Sequence, residues 1–210
     1  GVFAQHFNSA GAKVGGETLV NTETASTQDQ PAVAAFDAGG YVVAWTSRTS
    51  GTAGDGSGDG VFAQRFDHTG AKVGGEVQVN TETASAQDEP SVATLADGGY
   101  VVAWTSQNSG TAGDGSGDGV FAQRYDASGN AVGGEFRVNT SVSSTQDHPA
   151  VIGLDTGGFV VVWRDFSGIG DNSSGGIKAQ EYAADGSRVD GEVQVNTNIS
   201  STQDQPALAA

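Results

Sequence analysis

The chain has 210 residues, with 25 acidic side chains against 9 Lys plus Arg, a net charge of −16, 33 glycines and no cysteine. That length can bury a real core in one or two domains. The charge excludes a basic phosphate-binding face, and with it nucleic acid as a partner; it also opposes contact with anionic membranes. The absent thiols exclude a disulfide framework, and no apolar run is long enough to span a bilayer.

The first predicted element is "VFAQHF", from Val2 to Phe7. It alternates apolar and polar residues and reads as a short strand. A second strand, "ETLVNT", begins at Glu17, and a third, "PAVAAF", at Pro31. "DAGGY" then marks a hairpin, its glycines supplying positive φ. The next strand, "YVVAWTS" from Tyr41 to Ser47, is apolar at successive positions and so asks for burial on both faces. A glycine-rich acidic loop follows, "GTAGDGSGDG" from Gly51 to Gly60, and the pattern begins again.

The repetition organises the chain. "GVFAQ" at Gly1 returns at Gly60 and Gly119, and as "GIKAQ" at Gly176, with spacings of 59, 59 and 57. Pro31, Pro90, Pro149 and Pro206 are the only prolines and keep the same spacing; Trp45, Trp104 and Trp163 are the only tryptophans. The units run over 1–59, 60–118, 119–175 and 176–210, the last incomplete. Methionine is absent and the chain opens on Gly1, which predicts a piece of a longer protein.

Four short antiparallel strands per unit, with no helical periodicity, predict an all-β array of blades of the β-propeller kind. An open blade stack is one form of that reading. A β-solenoid is the structural rival, disfavoured by the hairpin turns. A string of separate β-sandwiches is the third, disfavoured because one unit is too small to bury a core.

The motif order "VNT…QDxP…DGGYVVAW…DGSGDGVFAQRYD" resembles the repeats of very large bacterial secreted and surface proteins, which often carry haemolysin-type calcium-binding segments. The blade layout is more loosely similar to sialidase-type and FG-GAP propellers. The resemblance implies an extracellular or cell-surface location and a structural or adhesive role supported by calcium. The glycine-rich nonapeptide array of the haemolysin type is absent, so that calcium mode does not carry over.

Calcium has a candidate site of its own. Asp55, Ser57 and Asp59 stand at alternate positions before Gly60, and Asp114, Ser116 and Asp118 repeat them before Gly119. Alternating oxygen ligands followed by a turning glycine is how a short loop wraps Ca²⁺. The third copy keeps Asp171 and Ser173 but has Gly175 in place of the second Asp. The competing reading is a solvated loop copied by duplication.

Two further features recur. The "QDxP" element, at Gln28/Asp29, Gln87/Asp88, Gln146/Asp147 and Gln203/Asp204, reads as structural, with a ligand site as the rival: Asp caps the turn into the inner strand and Gln bonds a neighbouring blade. Trp45, Trp104 and Trp163 read as packing between blades, with stacking on sugar rings as the rival. Enzyme chemistry is not expected: His6, His68 and His148 fall at unrelated repeat positions, and no nucleophile elbow, zinc helix or phosphate loop is present. The expectation is a non-enzymatic structural or adhesive module whose partners are other copies of itself, building a fibre or layer. A glycan-binding propeller is the rival.

Overall fold

The computed structural model describes residues 1–8, 10–24, 26–48, 58–107, 117–170, 175–198 and 200–209. Within them the chain is all-β. A two-stranded sheet, β1 (Phe3–Phe7) and β2 (Lys13–Leu19), precedes three four-stranded antiparallel sheets. The first of these holds β3 (Gln28–Ala35), β4 (Tyr41–Ser47), β5 (Gly60–Phe66) and β6 (Lys72–Gln78). The second holds β7 (Gln87–Thr94), β8 (Tyr100–Ser106), β9 (Gly119–Tyr125) and β10 (Ala131–Arg137). The third holds β11 (Gln146–Gly153), β12 (Phe159–Asp165), β13 (Gly176–Tyr182) and β14 (Arg188–Gln194). Each sheet is a simple meander, and β3, β7 and β11 lie side by side as the innermost strands.

The cores lie between sheets, which is why "YVVAW" is apolar throughout. Val42 and Ala44 face forward to Val92, Tyr100, Val102 and Trp104 of the next sheet, while Val43 and Trp45 face back to Val2 and Val20. Val101 and Ala103 likewise face forward to Val161 and Trp163. Both faces of one strand are thus buried, against two different neighbours. A solenoid coil or an isolated sandwich has no such arrangement; this is a propeller-like blade stack. The contrast at β3 supports the point: Val33 is 66% exposed, whereas its counterparts Val92 and Val151, each covered by a preceding inner strand, are 8% exposed.

Each blade is tied to the next by polar groups as well. Asn80 is buried; its Oδ1 accepts the Val61 amide at 2.8 Å, and its Nδ2 donates to Gln87 Oε1 at 2.9 Å. Asn139 and Gln146 repeat the latch at 2.9 Å. At the rim, the Thr81 amide and hydroxyl donate to Glu135 of the following sheet at 2.6 and 2.8 Å. The "VNT" triplet is therefore a joint between blades rather than only a strand end.

Two boundaries differ from the sequence expectation. The inner strands begin at Gln28, Gln87 and Gln146, three residues before their prolines, so "QDxP" lies within each strand and not in a turn leading into it. The fourth strand begins at Lys72, ahead of Glu76, and closes before Asn80. The real turn is the short segment around Asp67, whose Oδ1 accepts the Thr69 and Ala71 amides at 2.8 and 3.0 Å. "KVGG" belongs to the strand because it forms a bulge there: Gly74 takes φ +69°, and Gln64 Nε2 donates to the Val73 carbonyl at 3.2 Å.

Candidate functional site: the axial end of the inner strands

All three inner strands carry a bulge at the same place. Pairing with the second strand slips between Asp29 and Ala32, between Asp88 and Ser91, and between Asp147 and Ala150. Proline causes the slip, since it has no amide to give to the ladder. The residue before each proline, Gln30, Glu89, His148 and Gln205, has a φ of 50°, 54°, 52° and 51°. Left-handed backbone costs a residue with a Cβ about 1–2 kcal/mol, and here it recurs four times without a glycine.

These four side chains and the four prolines line one open depression of about 430 Å³. It collects one carboxylate, one imidazole and two carboxamides, each delivered by a different repeat. The "Q-D-x-P" frame is constant while x changes, so the backbone is copied and the chemistry is not.

A staircase of hydrogen bonds fixes the lining residues. Gln30 Oε1 accepts from Thr46 Oγ1 at 2.8 Å and from the Glu89 amide at 3.2 Å. Glu89 Oε2 in turn accepts from Thr105 Oγ1 at 2.9 Å and from the His148 amide at 3.1 Å. Glu89 Oε1 lies 3.1 Å from His148 Nε2. Gln30 and Gln205 show no partner for their Nε2 groups among the described residues, so both amides remain as donors.

Two arginines stand behind the depression, at the ends of the second strands. Arg48 Nε donates to Asp29 at 3.0 Å and Nη1 to Asp59 at 2.7 Å. Burial works against its charge, but the bonds from Asp59 and Asp29 outweigh it and raise its pKa. Arg164 donates twice to Asp147, at 2.7 and 2.6 Å, and these bonds raise its pKa. Its Nη2 also lies 3.1 Å from His148 Nδ1. Asp88 has no arginine so close: Arg48 Nη1 is 3.8 Å away, and Gln107 Nε2 donates to its Oδ2 at 2.9 Å. Burial, then the charge of Glu89, pushes the Asp88 carboxyl up to about 6.

The predicted metal residues fare differently. Asp55, Ser57, Asp114, Ser116, Asp171 and Ser173 lie outside the described residues. Asp59 and Asp118 are described. Asp59 is in the ion pair with Arg48, and the backbone carbonyls of Asp59 and Asp118 accept the amides of Gln87 and Gln146, each at 2.8 Å. No group of three or more His, Asp or Glu side chains suited to a metal occurs among the described residues. The exit of the acidic loop has a steric requirement of its own: a Cβ on Gly58 or Gly117 would meet the carbonyl of Ser85 or Ser144 at 2.7 or 2.5 Å.

Trp45, Trp104 and Trp163 are all buried, at 1%, 0% and 1% exposure. Trp45 and Trp104 stack on Phe62 and Phe121 of their own sheets, with centroids 6.3 and 6.5 Å apart. Their positions offer no ring face to a sugar, so the stacking role considered from sequence does not fit where they lie. The lining residues are instead the x positions and the prolines of "QDxP", an element that reads from sequence as structural first and as a ligand site second. His148, which does not recur as a histidine in the other repeats, occupies the x position; the legible signal is the one letter that varies inside "QDxP".

No family model and no curated protein sequence matches this chain. Solved structures do. A Hadza microbial sialidase, Hz136, aligns with TM-score 0.56 and 9% identity over 79% of this chain and 37% of its own. The endo-arabinase from Bacteroides thetaiotaomicron VPI-5482 aligns with TM-score 0.51 and 16% identity over 86% of this chain and 66% of its own. The chain thus spans less than two thirds of either structure, and the likeness establishes the propeller-like blade stack. It also corrects the functional expectation. The non-enzymatic structural or adhesive module, building a fibre or layer, finds no counterpart in these neighbours. Both are named as enzymes, a sialidase and an endo-arabinase. Among the described residues no helix is long and apolar enough to cross a membrane.

Proposed function

We propose that the protein is a glycan-binding, propeller-type module that works outside the cell and holds its ligand at the axial end of the inner strands. The observation that carries this reading is the depression lined by Gln30, Glu89, His148 and Gln205 beside four prolines. Four repeats hold these residues at one strained backbone geometry and vary only the side chain. Strain kept at equivalent positions with changing chemistry is a mark of a site. Carboxamides, a carboxylate and an imidazole are groups that pair with sugar hydroxyls, and the proline rings give flat apolar walls for the C–H faces of a pyranose. The blade-stack likeness to a sialidase and an endo-arabinase supports the same ligand class.

The reading is binding without cleavage. Glycoside hydrolysis needs an acid and a second carboxylate flanking one bond. Glu89 is the only carboxylate lining the depression among the described residues, and it is held by Thr105 and His148. Asp88, whose pKa is raised to about 6, is buried behind it against Gln107.

The test is a glycan array with wild-type protein and the double variant Gln30→Ala/Gln205→Ala, followed by titration calorimetry and product analysis on the hits. The expected result is a set of hits that the variant binds at least about tenfold more weakly, about 1.4 kcal/mol, and that are recovered intact. Failure of any glycan to bind, or equal binding by the variant, would overturn the reading; cleavage of a hit would overturn the non-catalytic part.

A further inference from the structure

The charge around this depression is one-sided. Glu89 lines it, Asp29, Asp88 and Asp147 each directly precede a lining residue, and Asp59 joins them through Arg48; the cations beside them are Arg48 and Arg164. Both arginines are already spent: Arg48 bridges Asp29 and Asp59 at 3.0 and 2.7 Å, and Arg164 forks onto Asp147 at 2.7 and 2.6 Å. A guanidinium so engaged cannot also clamp a ligand carboxylate without giving up a charge-assisted pair. The remaining carboxylates have no full counter-charge. Asp88 is 7% exposed, and its Oδ1 has no hydrogen-bond partner among the described residues. Glu89, on the wall of the depression, has only His148 opposite its Oε1.

A low-dielectric wall concentrates such a field into the opening. The field favours a positive ligand, leaves a neutral one unassisted and repels an anionic one. The Nε2 groups of Gln30 and Gln205 still donate to sugar hydroxyls in all three cases, so charge alone sets the order among glycans of equal length.

We infer that this depression selects glycans bearing free amines over their N-acetylated and carboxylated counterparts. The inference rests on the glycan reading above and names its ligand class. The ammonium group of a 2-amino sugar is the chemistry recognised, with Glu89 as the residue that faces it and Asp88 as the buried charge behind.

The experiment titrates the protein with three short oligosaccharides of equal length: β-1,4-linked glucosamine, the same oligomer fully N-acetylated, and α-1,4-linked galacturonate. Two charge-matched variants separate the site from the general acidity of the chain. Glu89→Gln removes a charge at the depression; Asp155→Asn removes one from the Leu154–Gly158 turn, at the other end of β11. The expected result is at least about tenfold tighter binding of the amine form than of the acetylated form, with the galacturonate weakest. Glu89→Gln should shrink that preference severalfold and Asp155→Asn should leave it unchanged. Equal affinity for the amine and acetylated forms, tighter binding of the galacturonate, or the same effect from both variants would overturn the selectivity while leaving glycan binding standing. No binding of any of the three, together with an empty array, would remove the glycan reading itself.

Discussion

The two ends of each inner strand obey different rules. At the hairpin end the sequence is fixed by sterics: a Cβ on Gly40, Gly99 or Gly158 would lie 2.4, 2.3 or 2.2 Å from the carbonyl of Phe66, Tyr125 or Tyr182. Nothing but glycine fits there in any blade. At the axial end the backbone is equally uniform, with φ of 50–54° in four copies, yet the side chain is Gln, Glu, His or Gln. The first end shows what packing demands; the second shows where packing demands only a backbone shape and leaves the side chain free for another task. Variation on a constant frame is therefore the more informative signal in this repeat.

Substitutions at the two ends should separate cleanly. Trp104→Ala, in the blade interface that both ends share, sets the upper bound: a loss of about 3–5 kcal/mol in chemical denaturation. Gly99→Ala, at the hairpin end, should cost roughly 3 kcal/mol, because the clash is with backbone that cannot rotate away. That corresponds to a fall in Tm of roughly 6–12 °C for a chain of this size. A cost below about 1 kcal/mol would show that the hairpin end is not under the steric rule.

Asn80→Ala tests the joint that carries one blade into the next. It leaves the buried Val61 amide and Gln87 Oε1 without their partner, at a cost of about 1–3 kcal/mol. Unfolding should also lose cooperativity if the joint couples the blades.

The axial end carries a charge that the fold tolerates poorly. The Asp88 carboxyl has a folded-state value of about 6, above its ordinary 3.8, with burial as the first cause. The folded protein thus holds this proton more tightly than the unfolded chain. The contribution to stability is greatest at low pH and is lost as pH rises from about 4 to 6. Asp88→Asn should therefore be more stable than wild type at pH 7.5, by roughly 1–3 kcal/mol, and indistinguishable from it near pH 4. A variant less stable at pH 7.5 would mean that Arg48 pays for the charge after all. The hairpin carboxylates act in the opposite sense. Hydrogen bonds, chiefly from Thr69, Asn130 and Ser187, lower the pKa of Asp67, Asp126 and Asp185, so their support is lost only as pH falls below the ordinary carboxylate range. The smallest effect belongs to Glu89→Gln, which should change denaturation midpoints least of all while changing ligand preference.

Much of the scaffold was legible because it is periodic. The "YVVAWTS" strands, the Gly-Gly hairpins and the burial of both faces follow from local pattern. The start of the fourth strand was not, since the Gly74 bulge is held by Gln64 from the neighbouring strand. The Asn80–Gln87 latch joins residues seven apart whose meaning depends on which sheet each enters. The site itself depends on bringing Gln30, Glu89, His148 and Gln205, each some 57–59 residues from the next, to one axis. No window of sequence holds that convergence. The tryptophans, conspicuous in sequence, turned out to be core.

The most direct test of the account is an NMR titration of labelled protein with an oligosaccharide that binds on the array. The largest amide shifts should fall on Gln30, Glu89, His148 and Gln205 and on the residues just after their prolines, with Gly39, Gly98 and Gly157 at the far turns unmoved. Shifts concentrated on those turns or on the outer strands, with the four axial amides silent, would contradict it.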